Sequence, residues 1–363
     1  MEGVVSPGAF WAGRRVFLTG HTGFKGSWLA LWLHTLGSRV TGYALAPDEP
    51  SLYVQARVGA VVDSIEADVR DGAALRRALA ATRPEVVVHL AAQAQVRQSY
   101  RAPVDTFATN VMGTVHLLQA AREVGGVKAV LVVTSDKCYD NPGTAVPFTE
   151  DDRLGGHDPY SSSKACAELV AAAYRASFFA GVAEVPALAT ARAGNVIGGG
   201  DWATERLVPD LVRSFAAGVP ARLRQPQAVR PWQHVLEPLR GYLVLAERLC
   251  TGGAALAPAY NFGPALGDGR SVAWVADALA RLWGGAAAWQ AEEGPQPHEA
   301  ARLQLDTARA RRDLGWEPVL SLEEALGWTA AWHREWTAGA DAQALTLAQI
   351  AAYRARLEAD DGR

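Results

Sequence analysis

Cysteine is scarce in this chain: three residues, Cys138, Cys166 and Cys250, among 363. They form no CxxC pair, and an odd, scattered set supports no disulfide framework, which is the usage expected in a reducing cytoplasm. The eight histidines are equally scattered, none at ligand spacing from a cysteine or a second histidine, so no metal site is expected. His298-Glu299 opens like a helical metal-binding pair, but no histidine follows at the spacing such a pair requires. No apolar run reaches membrane-spanning length. Met1 to Arg14 lacks the basic stretch and apolar core of a signal peptide. An excess of charge of one sign is missing too. The 35 Lys and Arg stand against 38 Asp and Glu, and the net charge of -3 gives no electrostatic case for nucleic acid or an anionic membrane.

Apolar sequence is abundant, at 49% of the chain, enough for one large α/β domain or two intimately joined ones. Arg15 to Thr19 reads as a short buried strand, followed by a glycine-rich turn and an apolar helix from Ser27 to Leu36 closed by Gly37. Val40 to Leu45 and Val61 to Ala67 read as further strands, and Ala73 to Ala81 as a helix stopping before Pro84. Val86 to Leu90 and Ala129 to Val133 are β-branched runs of the kind buried in a parallel sheet. Val104 to Val124 has helical periodicity. Pro159 to Phe179 predicts a long helix, with Asp158 as N-cap and Pro159 at its first position. Ala187 to Ala191 is another strand. Strands alternating with helices predict an α/β fold with a doubly wound, parallel Rossmann-type sheet.

The pattern changes after Gly198-Gly199-Gly200, where Pro and Gly become frequent. The segments 209–217, 237–249, 271–283, 302–314 and 322–336 read as helices of a smaller, mostly helical C-terminal lobe completing a ligand cleft. The expected division is 1–200 for dinucleotide binding and catalysis and 201–363 for substrate, with strand exchange between the two allowed. Ala359 to Arg363 is expected to fray.

Gly20-His21-Thr22-Gly23-Phe24-Lys25-Gly26 is a GxxGxxG run between a strand and a helix. Its glycines permit a tight turn and close backbone approach to a pyrophosphate at the helix N-terminus. The acid that usually closes the second strand and holds a ribose is absent, since Gly42-Tyr43-Ala44-Leu45 stands there, leaving NAD against NADP open. Asp68, after the third strand, reads equally as an adenine contact or as an ordinary loop carboxylate.

Two runs carry chemistry. Tyr160 and Lys164 lie four residues apart, on one helix face, where the ammonium is expected to lower the phenol pKa and make a base usable near neutrality. Thr134-Ser135-Asp136-Lys137-Cys138-Tyr139 ends a strand with a hydroxyl, a carboxylate and an amine in succession. Oxidising an alcohol needs one base, so the extra acid and amine indicate chemistry beyond oxidation. A structural salt bridge between Asp136 and Lys137 is the competing explanation.

These runs, with Arg192 to Trp202 (Arg-Ala-Gly-Asn-Val-Ile-Gly-Gly-Gly-Asp-Trp) and Arg230 to Val235 (Arg-Pro-Trp-Gln-His-Val), closely resemble the extended short-chain dehydrogenase/reductase family acting on nucleotide sugars. The resemblance runs from about Arg15 to Trp336, and GxxGxxG spacing and Tyr-x3-Lys are family patterns. Pro142 to Phe148 departs from a stretch that usually contains Trp, with Glu150 near the position of a family acid.

The resemblance implies NAD as cofactor, CDP-glucose as small-molecule substrate, and a redox-neutral dehydration within deoxysugar biosynthesis. Tyr160 would deprotonate the sugar 4-hydroxyl, with Ser135 bonded to the same oxygen and Lys164 holding the phenolate and the nicotinamide ribose. Asp136 would act as the acid at the 6-hydroxyl and Lys137 as the base at C5. Gly20, Thr22, Gly23, Phe24, Lys25, Gly26, Asp68, Val69, Ala91, Ala92, Gln93 and Thr109 would line the cofactor, while Asn110 could instead tie the sheet together. Asn195, Arg206, Arg230, His234 and Asn261 would contact substrate, the two arginines as diphosphate clamps because their forks match phosphate oxygens. The segments Val104 to Val124 and Pro159 to Phe179 would pair across a two-fold axis as the four-helix bundle of a homodimer. The alternatives are a nucleotide-sugar 4-epimerase, a dehydratase for another nucleotide glucose, and a nicotinamide-binding sensor or scaffold without catalysis.

Overall fold

The computed structural model describes residues 7–143, 146–179, 185–252, 256, 258–265, 267–292 and 302–361. Its central sheet contains β1 (Arg15–Thr19), β2 (Arg39–Ala44), β3 (Asp63–Glu66), β4 (Val86–His89), β5 (Ala129–Val133), β6 (Ala187–Ala193) and β7 (Ala259–Phe262). The order is β7-β6-β5-β4-β1-β2-β3, and every neighbouring pair is parallel. β4 and β5 are buried throughout, which is why both are runs of Val, Ala and Leu with one polar residue, His89, at the end. Winding reverses between β1 and β4, so the loops leaving those strands diverge and open a crevice at their carboxyl ends.

Helices cover both faces. On one, Trp28 and Leu31 of α1 (Phe24–Thr35) pack with Leu239 and Tyr242 of a later helix, Leu236–Gly252. On the other, Leu75 and Leu79 of α2 (Gly72–Thr82) meet Leu117 and Leu118 of α3 (Gly113–Val124) and Ala171 of α4 (Pro159–Tyr174). A separate core joins Val212 and Phe215 of α5 (Leu207–Ala216), Leu279 of α7 (Val272–Trp283) and Leu326 of α9 (Leu322–Thr337). Between these in sequence lie α6 (Leu236–Gly252) and α8 (Ala308–Leu314), and the chain ends in α10 (Ala342–Asp361).

Several elements differ from the sequence expectation for identifiable reasons. The glycine turn is shorter than expected, so α1 begins at Phe24 and takes Lys25 into its first turn. Val104 to Val124 is helical throughout as expected but not uniformly α: Pro103–Phe107 runs through a π turn, Ala108–Met112, into α3. The expected helix ending at Phe179 likewise closes with a π turn, Arg175–Phe179. The helix expected from Arg302 starts only at Ala308, because Arg302 and Leu305 bridge to Val229 and Phe148 and the Asp306 carboxylate accepts the Ala308 amide at 2.7 Å. β7 comes from the later half of the chain, so the sheet is completed across Gly200.

The terminal helix α10 was not expected, and its described residues run to Asp361. It buries one stripe, Ala342, Thr346, Ile350 and Tyr353, against the first face of the sheet. Its anchor is the fully buried Glu237 of α6, which accepts hydrogen bonds from the Tyr353 hydroxyl at 2.7 Å and from the Val319 and Leu320 amides at 3.0 and 2.7 Å. Tyr353→Phe removes one bond to a buried carboxylate and is expected to cost about 1.5–3 kcal/mol in urea unfolding. A cost below about 0.5 kcal/mol would remove Glu237 as the anchor.

Candidate active site

The cofactor side is built at the switch between β1 and β4. Thr19 Oγ1 accepts from the Leu90 and Ala91 amides, both at 3.2 Å, and draws the Ala91-Ala92-Gln93 loop against the glycine turn. Gly20 has φ +76°, and a Cβ there would stand 2.6 Å from the Ala91 nitrogen; one at Gly26 would stand 2.1 Å from the Gly20 oxygen. Gly23 caps α1 without any side-chain bond and is exposed. An uncapped helix N-terminus on a turn that admits no side chain fits the pyrophosphate of a dinucleotide.

The Asp68 carboxylate is drawn to Arg70, accepting from its amide at 2.8 Å and its Nε at 2.7 Å, and that pairing holds its pKa below the usual range. Val69 is buried, and its carbonyl meets the His116 ring at 3.1 Å. Thr22 donates to the Leu45 carbonyl at 3.1 Å, and Thr109 lies half-buried in the π turn. That turn aims Asn110 back at the β4 loop. Its Oδ1 accepts from the Gln93 amide at 2.8 Å, and its Nδ2 donates to the Gln93 carbonyl at 3.0 Å and to Ser163 Oγ at 2.8 Å. Asn110 therefore ties the cofactor loop to α4.

The expected catalytic residues meet in one chamber at the end of β5. Asp158 caps α4 through the Ser161 amide at 2.9 Å and sets Tyr160 and Lys164 on its inner face, both buried. Ser135 caps the short turn Asp136–Cys138, accepting from the Lys137 amide at 3.2 Å and donating to Asp136 Oδ1 at 3.0 Å. Ser135 also shares a side-chain hydrogen bond with the Tyr160 phenol. Burial pushes the Asp136 carboxyl up, against Lys137, the Ser135 bond, Arg230 and Lys25, which pull it down. Its second oxygen, Oδ2, is buried and has no hydrogen-bond partner among the described residues. A carboxyl raised in this way is suited to carry a proton.

The phenol differs from the sequence expectation. Burial raises Tyr160 to about 12, with the Ser135 bond opposing and the Asp136 charge adding. Lys164 turns its ammonium to the Val133 carbonyl at 3.3 Å, and burial lowers its own pKa to about 8 while Glu168 one turn on supports its charge. In the chain alone, desolvation of Tyr160 outweighs the Ser135 bond and the Arg206 charge that oppose it.

Arg206 and Arg230, expected as diphosphate clamps, both exert their charge on residues of the chamber. The Arg206 charge acts on Lys25 and Tyr160, and Arg230, itself buried, acts on Asp136. Arg206 is paired with Asp201 at 3.2 Å, and Asn195, which follows the end of β6, is half-buried. Beyond Glu205 lies a cavity of about 440 Å³ lined by Arg97, Asp210, Arg213, Arg222, Arg224 and others. Two residues expected at the rim are not there. His234 is fully buried edge-on between Trp28 and Trp328, and burial lowers its pKa to about 3. Asn261 is fully buried in β7, where it accepts from the Tyr139 hydroxyl at 2.6 Å and donates to the Phe148 and Asp306 carbonyls. Glu150 accepts the Asn261 amide at 2.8 Å, so it also serves the sheet edge. His298 and Glu299 lie outside the described residues, as do Thr144 and Ala145 of the divergent stretch.

Tyr242 was missed. It sits buried on α6 and accepts from Lys25 Nζ at 3.3 Å, and burial, then the Tyr160 and Asp136 charges, push its phenol well up. Nothing in an apolar helix marks it; only folding brings it to the chamber. Lys25 itself is lowered to about 7, first by burial and then by Arg206 and Lys164, with Asp136 opposing. Below pH 7 the folded chain thus keeps an ammonium among cations, a cost that fades as pH rises toward the ordinary value of 10.5. Lys25→Met is therefore expected to raise the melting temperature of the dinucleotide-free chain, most below pH 7, while weakening dinucleotide binding. Unfolding scans across pH that find no such trend would remove this conflict from the site.

The profile of the NAD dependent epimerase/dehydratase family matches residues 16–263, and the chain belongs to that family. CDP-glucose 4,6-dehydratase of Salmonella typhimurium is 49% identical over 352 residues, covering 95% of this chain and 97% of that enzyme. dTDP-glucose 4,6-dehydratase of Streptomyces griseus is 32% identical over 256 residues, covering 69% of this chain and 73% of that one. Among solved structures, the Thermus thermophilus UDP-glucose 4-epimerase complex with NAD aligns with a TM-score of 0.76 at 26% identity, over 88% of this chain and 99% of that one.

Proposed function

We propose that this protein is a hydro-lyase that converts CDP-glucose to CDP-4-dehydro-6-deoxyglucose. The carrying observation is Ser135-Asp136-Lys137 set against Tyr160 and Lys164 in a chain 49% identical, nearly end to end, to a CDP-glucose 4,6-dehydratase. NAD, once bound, would supply the hydride acceptor for C4 and the hydride donor for C6. Tyr160 removes the 4-hydroxyl proton, Ser135 orients that oxygen, and Lys164 supports the phenolate charge. Lys137 takes the C5 proton once the 4-ketone has acidified it. Asp136, whose carboxyl burial pushes up, protonates the departing 6-hydroxyl. An epimerase leaves C6 untouched and has no use for Asp136 and Lys137.

Arg206 and Arg230 hold the substrate diphosphate, Asn195 lies beside it, and the arginine-lined cavity beyond Glu205 takes the nucleoside end. Residues 1–200 carry cofactor and chemistry, and 201–363 the nucleotide sugar. Val104 and Leu169 are 78% and 58% exposed, and Tyr100, Phe107 and Met112 are exposed near them in sequence. An apolar set on these helices supports a homodimer through a four-helix bundle, which sedimentation of wild type against Leu169→Glu tests. No helix among the described residues is long and apolar enough to cross a membrane, and the three cysteines are free, in keeping with a cytoplasmic enzyme. Offered CDP-, dTDP- and UDP-glucose, the enzyme should form a 4-keto-6-deoxy sugar with the highest kcat/KM on the CDP sugar. A higher value on another nucleotide would reassign the substrate.

A further inference from the structure

Glu205 holds its backbone where few side chains do. Among the described residues, three non-glycine residues have φ in the left-handed region: Arg57 at +49°, Arg83 at +47° and Glu205 at +62°. Arg57 and Arg83 stand just past the ends of helices, where that conformation is an ordinary stop. Glu205 ends no helix. It lies in a turn between Asp201 and Arg206, and a strained backbone of this kind persists only where its surroundings hold it.

Those surroundings come from both halves of the chain. Glu205 Oε1 accepts from Arg101 at 3.0 Å and stands 3.6 Å from Arg97, both on the short helix Val96–Arg101. The Glu205 carbonyl accepts from Arg224 at 2.9 Å, just past the strand Ala221–Leu223. The helix Val96–Arg101 is tied in turn to the chemistry. Its fully buried Ser99 accepts the Tyr160 amide on Oγ at 3.1 Å. The Ser99 amide donates to the Gln95 carbonyl, which also accepts from Gln93 Nε2 of the cofactor loop at 2.9 Å. One short helix therefore joins the cofactor loop, the start of α4 and Glu205. The residue after Glu205 is Arg206, which caps α5 with an extended backbone.

We propose that Glu205 is a positioning residue, a strut that fixes Arg206, and with it the substrate diphosphate, at a set distance from Tyr160. The inference rests on the dehydratase reading with Arg206 as a diphosphate clamp. The sugar is carried on that diphosphate, so a clamp that drifts by about 1 Å takes C4 away from the phenol, and a misplacement of that size costs about 10²-fold in rate. Glu205 touches no reacting atom; it acts through its neighbour. The left-handed backbone turns its carboxylate back to Arg101 while the chain goes on into α5.

Glu205→Asn keeps a residue that tolerates the left-handed region but is too short to reach Arg101. It is expected to lower kcat/KM on CDP-glucose about 10- to 100-fold and to leave dinucleotide affinity unchanged. Arg206→Met is expected to lower kcat/KM as well. The double variant should be no slower than Arg206→Met alone, because a strut with no clamp to place has no effect. Glu205→Gln, which can still meet Arg101 with its amide oxygen, should recover part of the loss. Losses that multiply in the double variant, or a Glu205→Asn enzyme as fast as wild type, would overturn the strut. An Arg206→Met enzyme as fast as wild type would remove the clamp, and the strut with it, while leaving the dehydratase standing. A wild-type enzyme inactive on CDP-glucose would bring down the dehydratase reading itself, and the strut with it.

Discussion

Replacing Tyr160 with Phe is expected to lower turnover of CDP-glucose about 10²- to 10⁴-fold while the chain still folds and binds its dinucleotide. The lost hydroxyl is a partner of Ser135, and the aromatic ring that packs on α4 is kept. The residue is poorly prepared to be a base in the chain alone, since burial holds it near 12. Its ionisation must be helped by positive charge: the Arg206 charge already pulls it down, and Lys164, one turn along the same helix, is proposed to add to that pull. Lys164, lowered to about 8, is charged below that pH and neutral above it. The rate of the first oxidation should therefore fall as pH rises past about 8, although deprotonation of an isolated phenol would become easier there. Steady-state rates and dinucleotide titration of the Phe variant test this together. Retained turnover would leave the chain a binding protein whose Tyr-Lys pair is structural.

Glu168→Ala is the change with the largest expected effect on stability, a loss of about 3–5 kcal/mol in denaturant unfolding. Glu168 lies one turn beyond Lys164 on α4, with its side chain 3% exposed. It pairs with Arg192 of β6 at 2.7 Å and accepts from the Thr134 hydroxyl and from Thr190 Oγ1 at 2.7 Å. The pair thus clamps α4, the end of β5 and β6 just behind Ser135. Removing the carboxylate leaves the Arg192 guanidinium, 5% exposed, without its counter-charge. Because Glu168 also supports the charge on Lys164, the remaining activity should show its alkaline limb at lower pH. A stability change under about 1 kcal/mol would mean that water or a local shift replaces the pair.

The elements legible in the sequence are those whose signal is local. β4 and β5 declare themselves as β-branched runs, α4 by Asp158 and Pro159 at its start, and the dinucleotide turn by glycines that tolerate no Cβ. The Tyr160 and Lys164 pair and the Ser135-Asp136-Lys137 run are contiguous, so their chemistry could be read before the fold was known. Contacts made by distant segments were not legible. Tyr242 joins the chamber only because α6 packs over α1, and the polarity of Asn261 serves β7 rather than a ligand. His234 was expected at the rim on the family resemblance alone, but two tryptophans enclose it. The π turn at Ala108–Met112 has no local breaker; it forms where Asn110 reaches the Gln93 loop. The Tyr160 pKa was misjudged because spacing gives the distance to a charge but not the burial that outweighs it.

The central claim is that hydride removed from C4 returns to C6 of the same sugar. The most direct measurement is NMR of the product formed from CDP-glucose carrying deuterium at C4. The mechanism predicts a 4-keto-6-deoxy sugar with the label in its C6 methyl group. Label retained at an inverted C4, with the 6-hydroxyl intact, would contradict it and reduce Asp136 and Lys137 to a structural pair in an epimerase.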